Sequence, residues 1–195
     1  MSERQISIME AAIRVIARNG VRGLRVEKLA KEAGISTALI YYHFGDRAGL
    51  LRRTLDFVAD RAENYSRDAL DLAEDPRHEL ELLLSLELQD LPTVRENSTA
   101  WGELRASAVF DPDLRDFLRR STQGWNTEIA DAVRRAQRAD LADAKADPHD
   151  VAEHLTTLVE GLSERWLSGS MTVDRARELL RGAIVAQLGE RRSRG

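Results

Sequence analysis

RVEKLAKEAGISTALIYYHF, residues 25–44, is the stretch on which the fold turns. Val26, Leu29, Ala30 and Ala33 fall at i, i+3, i+4 and i+7, the apolar face of one helix, and Gly34 ends it. A second helix starts at Ser36, a favourable N-cap, and runs to about Phe44. Two short helices that cross closely need a small residue at the contact, here Ala30. Their turn needs a residue that tolerates positive φ, here Gly34. Ile35 plugs the corner, while Ile40 and Phe44, one turn apart, anchor the second helix on Leu29 and Ala33. The spacing predicts a helix-turn-helix over Arg25–Phe44. An ordinary corner between two helices uses the same turn chemistry, so the outer face of the second helix has to separate the two.

That face holds Thr37, Ala38, Leu39, Tyr41, Tyr42 and His43, and the helix contains no acidic residue. Hydroxyls and an imidazole can donate to phosphate oxygens, and Leu39 and the Thr37 methyl suit thymine methyl groups. Such a surface fits the major groove of double-stranded DNA. Arg47 opens the following helix, where its charge reaches the DNA backbone.

Outward from this motif almost everything reads as helix. Ile6, Met9, Ile13, Ile16 and Ala17 repeat at helical spacing until Asn19-Gly20. After Gly45-Asp46 a long helix is expected from Arg47 to Leu72. Asp75-Pro76, Asp111-Pro112 and Asp147-Pro148 each pair an N-cap with a proline at the first helical position, and so mark helix starts. The expected spans are 76–90, 112–138 and 148–168. Pro92 is expected to close or kink the first of these, another helix fits 98–110, and the last runs 173–188. The fold class is all-α, nine helices, divided into a three-helix DNA-binding head at 1–48 and a six-helix ligand-binding and dimerisation body at 49–195.

Charge divides the same way. Lys+Arg against Asp+Glu is 29 to 33, a net −4, yet residues 1–53 hold ten basic and five acidic side chains, so a +5 head sits on a −9 remainder. Only the head suits a polyanion. The absence of cysteine excludes a disulfide framework, a thiolate metal site and a cysteine nucleophile. His149 and His154, five apart, do not share a helix face, and no metal site is expected. No phosphate loop or motif-spaced nucleophile–base pair argues for an enzyme, and no cofactor is implied. No apolar run approaches membrane-spanning length, and the N-terminus carries Glu3 and Glu10, unlike a signal peptide; the expected location is cytoplasmic.

AAIRVIARNGVRGLRVEKLAKEAGISTALIYYHFGDRAGLL, within residues 5–51, closely resembles the TetR family of regulators, above all in the YYHF core followed by Arg47 and Leu50-Leu51. The resemblance implies that Thr37, Ala38 and Leu39, after the cap Ser36, read bases. It implies that Tyr41, Tyr42, His43 and Arg47 hold phosphates. Arg25 stands where the family usually caps the second helix with Thr or Ser, and is expected to be a further phosphate contact. Glu27 sits where some members contact a base, but a carboxylate is repelled by the DNA backbone.

The C-terminal stretch TLVEGLSERWLSGSMTVDRARELLRGAIVAQL resembles the subgroup with a BetI-like C-terminal domain. The broad apolar faces of its two helices suggest a homodimer paired as a four-helix bundle, with Leu155, Leu158, Leu162, Trp166, Leu180 and Ile184 at the interface. A small-molecule pocket is expected among Trp101, Glu103, Leu104, Phe110, Phe117, Trp125 and Glu128, where a tryptophan beside a carboxylate can hold a cation. The expected function is a repressor that leaves a palindromic operator when an inducer binds. An activator, or a regulator that answers to no ligand, is the alternative on the same fold.

Overall fold

The computed structural model describes residues 2–190, apart from the side chains of 62–71. Among the described residues there are nine α-helices, no strand, and one short 3-10 turn. They are α1 (Glu3–Asn19), the turn (Val21–Gly23), α2 (Val26–Ala33), α3 (Thr37–Phe44), α4 (Arg47–Leu72), α5 (Pro76–Ser85), α6 (Pro92–Ala108), α7 (Pro112–Arg138), α8 (Pro148–Leu167) and α9 (Val173–Leu188).

The proline starts behave as their chemistry dictates. Asp75 accepts from the amides of Arg77 and His78 at 2.9 and 2.8 Å, and Asp147 from those of His149 and Asp150 at 2.8 and 3.2 Å. Asp111 accepts from the Asp113 amide at 3.0 Å. Pro92 departs from the expectation: it opens α6 instead of closing the helix before it, and that helix, α5, stops at Ser85. Proline has no N–H to lose at a first helical position, so the site suits it. Leu91 in front of it is not a capping residue, which hid the start from the sequence pattern.

Two compact units result. The first gathers residues up to 62 together with 95–119. Its core packs Ile8, Ile13 and Ile16 of α1 against Leu29 and Ile40 and against Leu50, Leu55 and Val58 of α4, with Ala100 and Leu104 of α6 in the same cluster. Each large aliphatic side chain so enclosed contributes roughly 1.5–3 kcal/mol. The Asn97 amide donates to the Val58 carbonyl at 3.5 Å, a polar tie from α6 to α4.

The second unit comprises 63–94 and the residues from 120 onward. Leu80, Leu84 and Leu88, Ile129 and Val133 of α7, and the inner faces of α8 and α9 form its core. Polar links hold its helix ends. Fully buried Arg77 pairs with Glu81 at 2.8 Å and donates to the Gly189 carbonyl at 3.2 Å, while Arg177 donates to the Leu88 carbonyl at 2.7 Å. Arg135 is paired with Glu79.

Candidate nucleic-acid interface

The turn between α2 and α3 closes by backbone chemistry that the glycine makes possible. Gly34 takes φ 65°, ψ 35°, the left-handed region. The Ile35 amide then donates back to the Ala30 carbonyl at 3.0 Å and the Gly34 amide to that of Lys31 at 3.3 Å. These paired bonds terminate α2. Ser36 accepts from the Leu39 amide at 3.3 Å and starts α3. Ile40 and Phe44 face inward, buried at 1% and 9% exposure.

What α3 leaves outside is unusual for a soluble surface. Tyr42 is 82% exposed and Tyr41 49%. Thr37 and Ala38 are exposed beside them, and Leu39 and His43 are half-buried. The His43 ring meets Tyr42 edge to face at 5.2 Å. A helix with two bare tyrosines and no carboxylate is poorly adapted to water and well adapted to a phosphate-lined groove.

The start of α2 adds a second donor surface. Arg25 is its N-cap, exposed, and its side chain makes no capping bond, unlike Ser2, Ser36, Asp75, Asp147 and Thr172 at the starts of α1, α3, α5, α8 and α9. The first amides of α2 therefore lack a capping side chain beside a guanidinium, an arrangement that suits an anion. Glu27 is exposed on the same helix, and Glu32 is engaged elsewhere. Arg14 and Arg18 of α1 bridge to Glu32 at 3.0 and 3.3 Å and hold its carboxyl below the usual range, the Arg14 hydrogen bond first. That cross-link fixes α1 on α2. Arg18, Lys28 and Lys31 surround a shallow groove between these helices.

Arg47 sits differently from the outer residues of α3. Its Nε donates to the Leu24 carbonyl at 3.2 Å and its Nη2 to the Val21 carbonyl at 2.9 Å. Two of its donors are therefore spent on the loop before α2, a role that the spacing of residue types does not reveal.

Of the residues expected to line a ligand pocket, Trp101, Glu103, Leu104, Phe110 and Phe117 lie in the first unit and Trp125 and Glu128 in the second. Trp101 and Phe117 pack against the first core cluster and Trp125 against the second. Leu104 is a core residue of the first unit at 1% exposure. Glu103 accepts from the Val21 amide at 3.1 Å, so its carboxylate belongs to the head. Phe110 is 78% exposed, outside any core. Glu128 stands near a second carboxylate: with burial as the larger cause, its charge helps push the Glu87 carboxyl up to about 7. Glu87 was not singled out from the sequence, because nothing in LSLELQD distinguishes it from the charged rim of a helix.

The residues expected at the dimer interface are mostly core residues of the single chain. Leu155, Leu162, Trp166, Leu180 and Ile184 are at 5% exposure or less within the single chain. A side chain already covered by its own protomer has no surface to offer a partner. Leu158 alone of the six retains partial exposure. Gly161 and Gly182 are both exposed, and an added Cβ at either would meet nothing within 4 Å.

Comparison with known proteins places these features in context. Residues 8–54 match the family model of bacterial regulatory proteins of the tetR family, and residues 76–189 match that of the BetI-type transcriptional repressor C-terminal domain. The chain is 26% identical over 169 residues to the HTH-type transcriptional regulator BetI of Burkholderia cenocepacia (strain HI2424), covering 86% of this chain and 82% of that one. Among solved structures, a TetR-family transcriptional regulator from Rhodococcus sp. is 46% identical with a TM-score of 0.89, over 96% of this chain and all of the other (100%). A transcriptional regulator from Saccharomonospora viridis, crystallised in complex with choline, is 28% identical with a TM-score of 0.87, over 98% and 100%.

Proposed function

The chain belongs to the TetR family of transcriptional regulators, with a C-terminal domain of the BetI repressor type, and on that premise we propose that it is a homodimeric repressor released from a palindromic operator by a small cationic ligand. Residues 1–48 are the DNA-binding head and 49–195 the ligand-binding and dimerisation body. Thr37, Ala38 and Leu39 read bases, while Arg25, Tyr41, Tyr42 and His43 grip phosphates around the Ser36 cap. Arg47 serves the DNA through the loop it holds. The observation that carries this reading is the bare, carboxylate-free face of α3, with Tyr42 82% exposed above an anchored helix-turn-helix.

Two half-sites require two heads. The dimer forms through the outer faces of α8 and α9, where Leu158 and Gly161, and Leu179, Gly182, Ala183 and Ala186, lie at three- and four-residue spacing. Glycine and alanine there let two helix pairs approach closely. The ligand carries a positive charge and is held by Glu87 and Glu128, with Trp125 one turn from Glu128 on α7. The choline complex of the Saccharomonospora viridis regulator and the raised Glu87 carboxyl both support a cation, whose charge would return that group to its ionised form. The protein acts in the cytoplasm, with the chromosome, and has no catalytic role.

The test uses a duplex recovered by selection from random DNA, with affinity followed by fluorescence anisotropy. Affinity falls steeply as salt rises, because each head displaces several counterions, and choline weakens it at constant salt. A flat salt dependence overturns the DNA reading. An affinity that choline leaves unmoved overturns the choice of a choline-like ligand.

A further inference from the structure

The six residues between α1 and α2 are gripped at the backbone from two other helices. Gly20 caps α1, and the chain turns through bonds from the Gly23 amide to Gly20 and from the Leu24 amide to Val21, at 3.0 and 3.2 Å. It enters α2 one residue later. Val21 and Leu24 bury their side chains in the first core cluster, at 5% and 0% exposure. Both backbone groups of Val21 are taken by side chains of opposite charge. Its amide donates to Glu103 Oε2 of α6 at 3.1 Å, and its carbonyl accepts from Arg47 Nη2 of α4 at 2.9 Å. Arg47 Nε adds the Leu24 carbonyl at 3.2 Å.

Gly20 records the same approach independently. A Cβ there would lie 2.7 Å from Glu103 Oε2. Its backbone, φ 69° and ψ 169°, occupies a region open essentially to glycine alone. The chain thus places a glycine where the carboxylate arrives.

We propose that Glu103 is a positioning residue for DNA binding: from α6 it holds the Gly20–Leu24 turn that Arg47 holds from α4, and this clamp sets the angle at which α2 and α3 meet the operator. The assignment rests on the DNA-binding reading above. The turn is the covalent path from α1 into α2, so its position is inherited by the reading helix, which starts three residues beyond α2. α6 packs within the same compact unit as α1–α3, and its movement therefore acts on the turn through this contact. The hydrogen bond is at 3.1 Å and ceases to be one beyond about 3.5 Å, so a shift of α6 of about 1 Å releases it. A ligand that displaces α6 has in Glu103 a short route to the head.

The experiment compares Glu103→Gln, Glu103→Asp and Glu103→Ala in the full chain. Gln keeps an acceptor oxygen at the same reach; Asp keeps the charge but falls short by one methylene. On the duplex selected by the wild type, the Asp and Ala variants bind on the order of tenfold more weakly with the wild-type salt slope, and Gln stays within about threefold. The Val21 amide exchanges rapidly with solvent in the Asp and Ala variants and remains protected in Gln. Wild-type affinity in the Asp variant overturns the proposal, as does a Gln variant as weak as Ala. If the wild type selects no duplex, the DNA-binding reading itself fails, and Val21 exchange still decides the clamp: equal protection in wild type and Asp overturns it.

Discussion

Helices α3 and α8 are both rich in apolar and aromatic residues, yet one leaves them in solvent and the other spends them on its own core. α3 buries only Ile40 and Phe44 and leaves Tyr41 and Tyr42 in solvent. α8 buries Val151, Ala152, Leu155, Thr156, Val159, Leu162 and Trp166 within the chain. Apolar content by itself does not distinguish an interface from a core. What distinguishes them is how many neighbours the fold supplies. α3 is eight residues long and packed on one side, whereas α8 is twenty residues long and meets α5, α7 and α9.

The difference is most sharply tested on α3. On the proposed reading, replacing Thr37 and Tyr42 together by alanine removes a base contact and a phosphate contact from each of two heads. Operator affinity falls by about 4 kcal/mol, on the order of a thousandfold, while circular dichroism and dimer mass are unchanged. An unchanged affinity in anisotropy would show that α3 is not the reader.

Leu155→Ala on α8 has the opposite signature. A fully buried leucine is truncated, so chemical denaturation shows a loss of about 3 kcal/mol of folding stability. The protein that remains folded binds the operator with wild-type affinity. A wild-type denaturation midpoint would mean that Leu155 is not core.

The outer faces of α8 and α9 sharpen the contrast further. For Gly182→Arg, the new Cβ meets nothing within 4 Å in the protomer, and removing a mid-helix glycine contributes a few tenths of a kcal/mol or more to helix stability. The melting temperature of the protomer therefore holds or rises, while sedimentation shows the dimer weakened by about 2 kcal/mol. A variant that sediments as the wild-type dimer excludes α9 from the interface.

The smallest effect concerns Glu87. Burial first, and Glu128 second, raise its carboxyl in the folded protein from 4.5 to about 7. The folded state therefore holds a proton that the unfolded chain has released between those values. Stability present below about pH 4.5 is lost as pH rises through about 7, by on the order of 1 kcal/mol after allowance for solvent screening. Glu87→Gln flattens this part of the stability profile. A slope between pH 5 and 8 that survives the substitution assigns it to another group.

Much of this molecule was legible in the amino-acid order because its signals are local. Gly34 must take positive φ, Asp75 and Asp147 must satisfy nearby amides, and Gly45 must break the helix before Arg47; each requirement is met within a few residues of itself. Pro92 escaped because Leu91 precedes it and no capping side chain announces the start. The candidate site was legible only on α3, where a face without carboxylates is itself the signal. The hold of Glu103 on the turn was hidden because its partner, the Val21 amide, lies 82 residues away and is a backbone group that every residue possesses.

The sequence by itself determined the all-α class, the helix-turn-helix and the polarity of a basic head on an acidic remainder, since periodicity, capping and charge act between neighbours along the chain. Only the tertiary structure decided which apolar faces are consumed and which are left. It sent Leu155, Leu162, Trp166, Leu180 and Ile184 into their own protomer and left Tyr42 bare. It also turned Arg47 and Glu103 onto opposite sides of one residue, Val21. Burial and long-range hydrogen bonding depend on which helices meet in space, and that is a property of packing that no spacing of residue types carries.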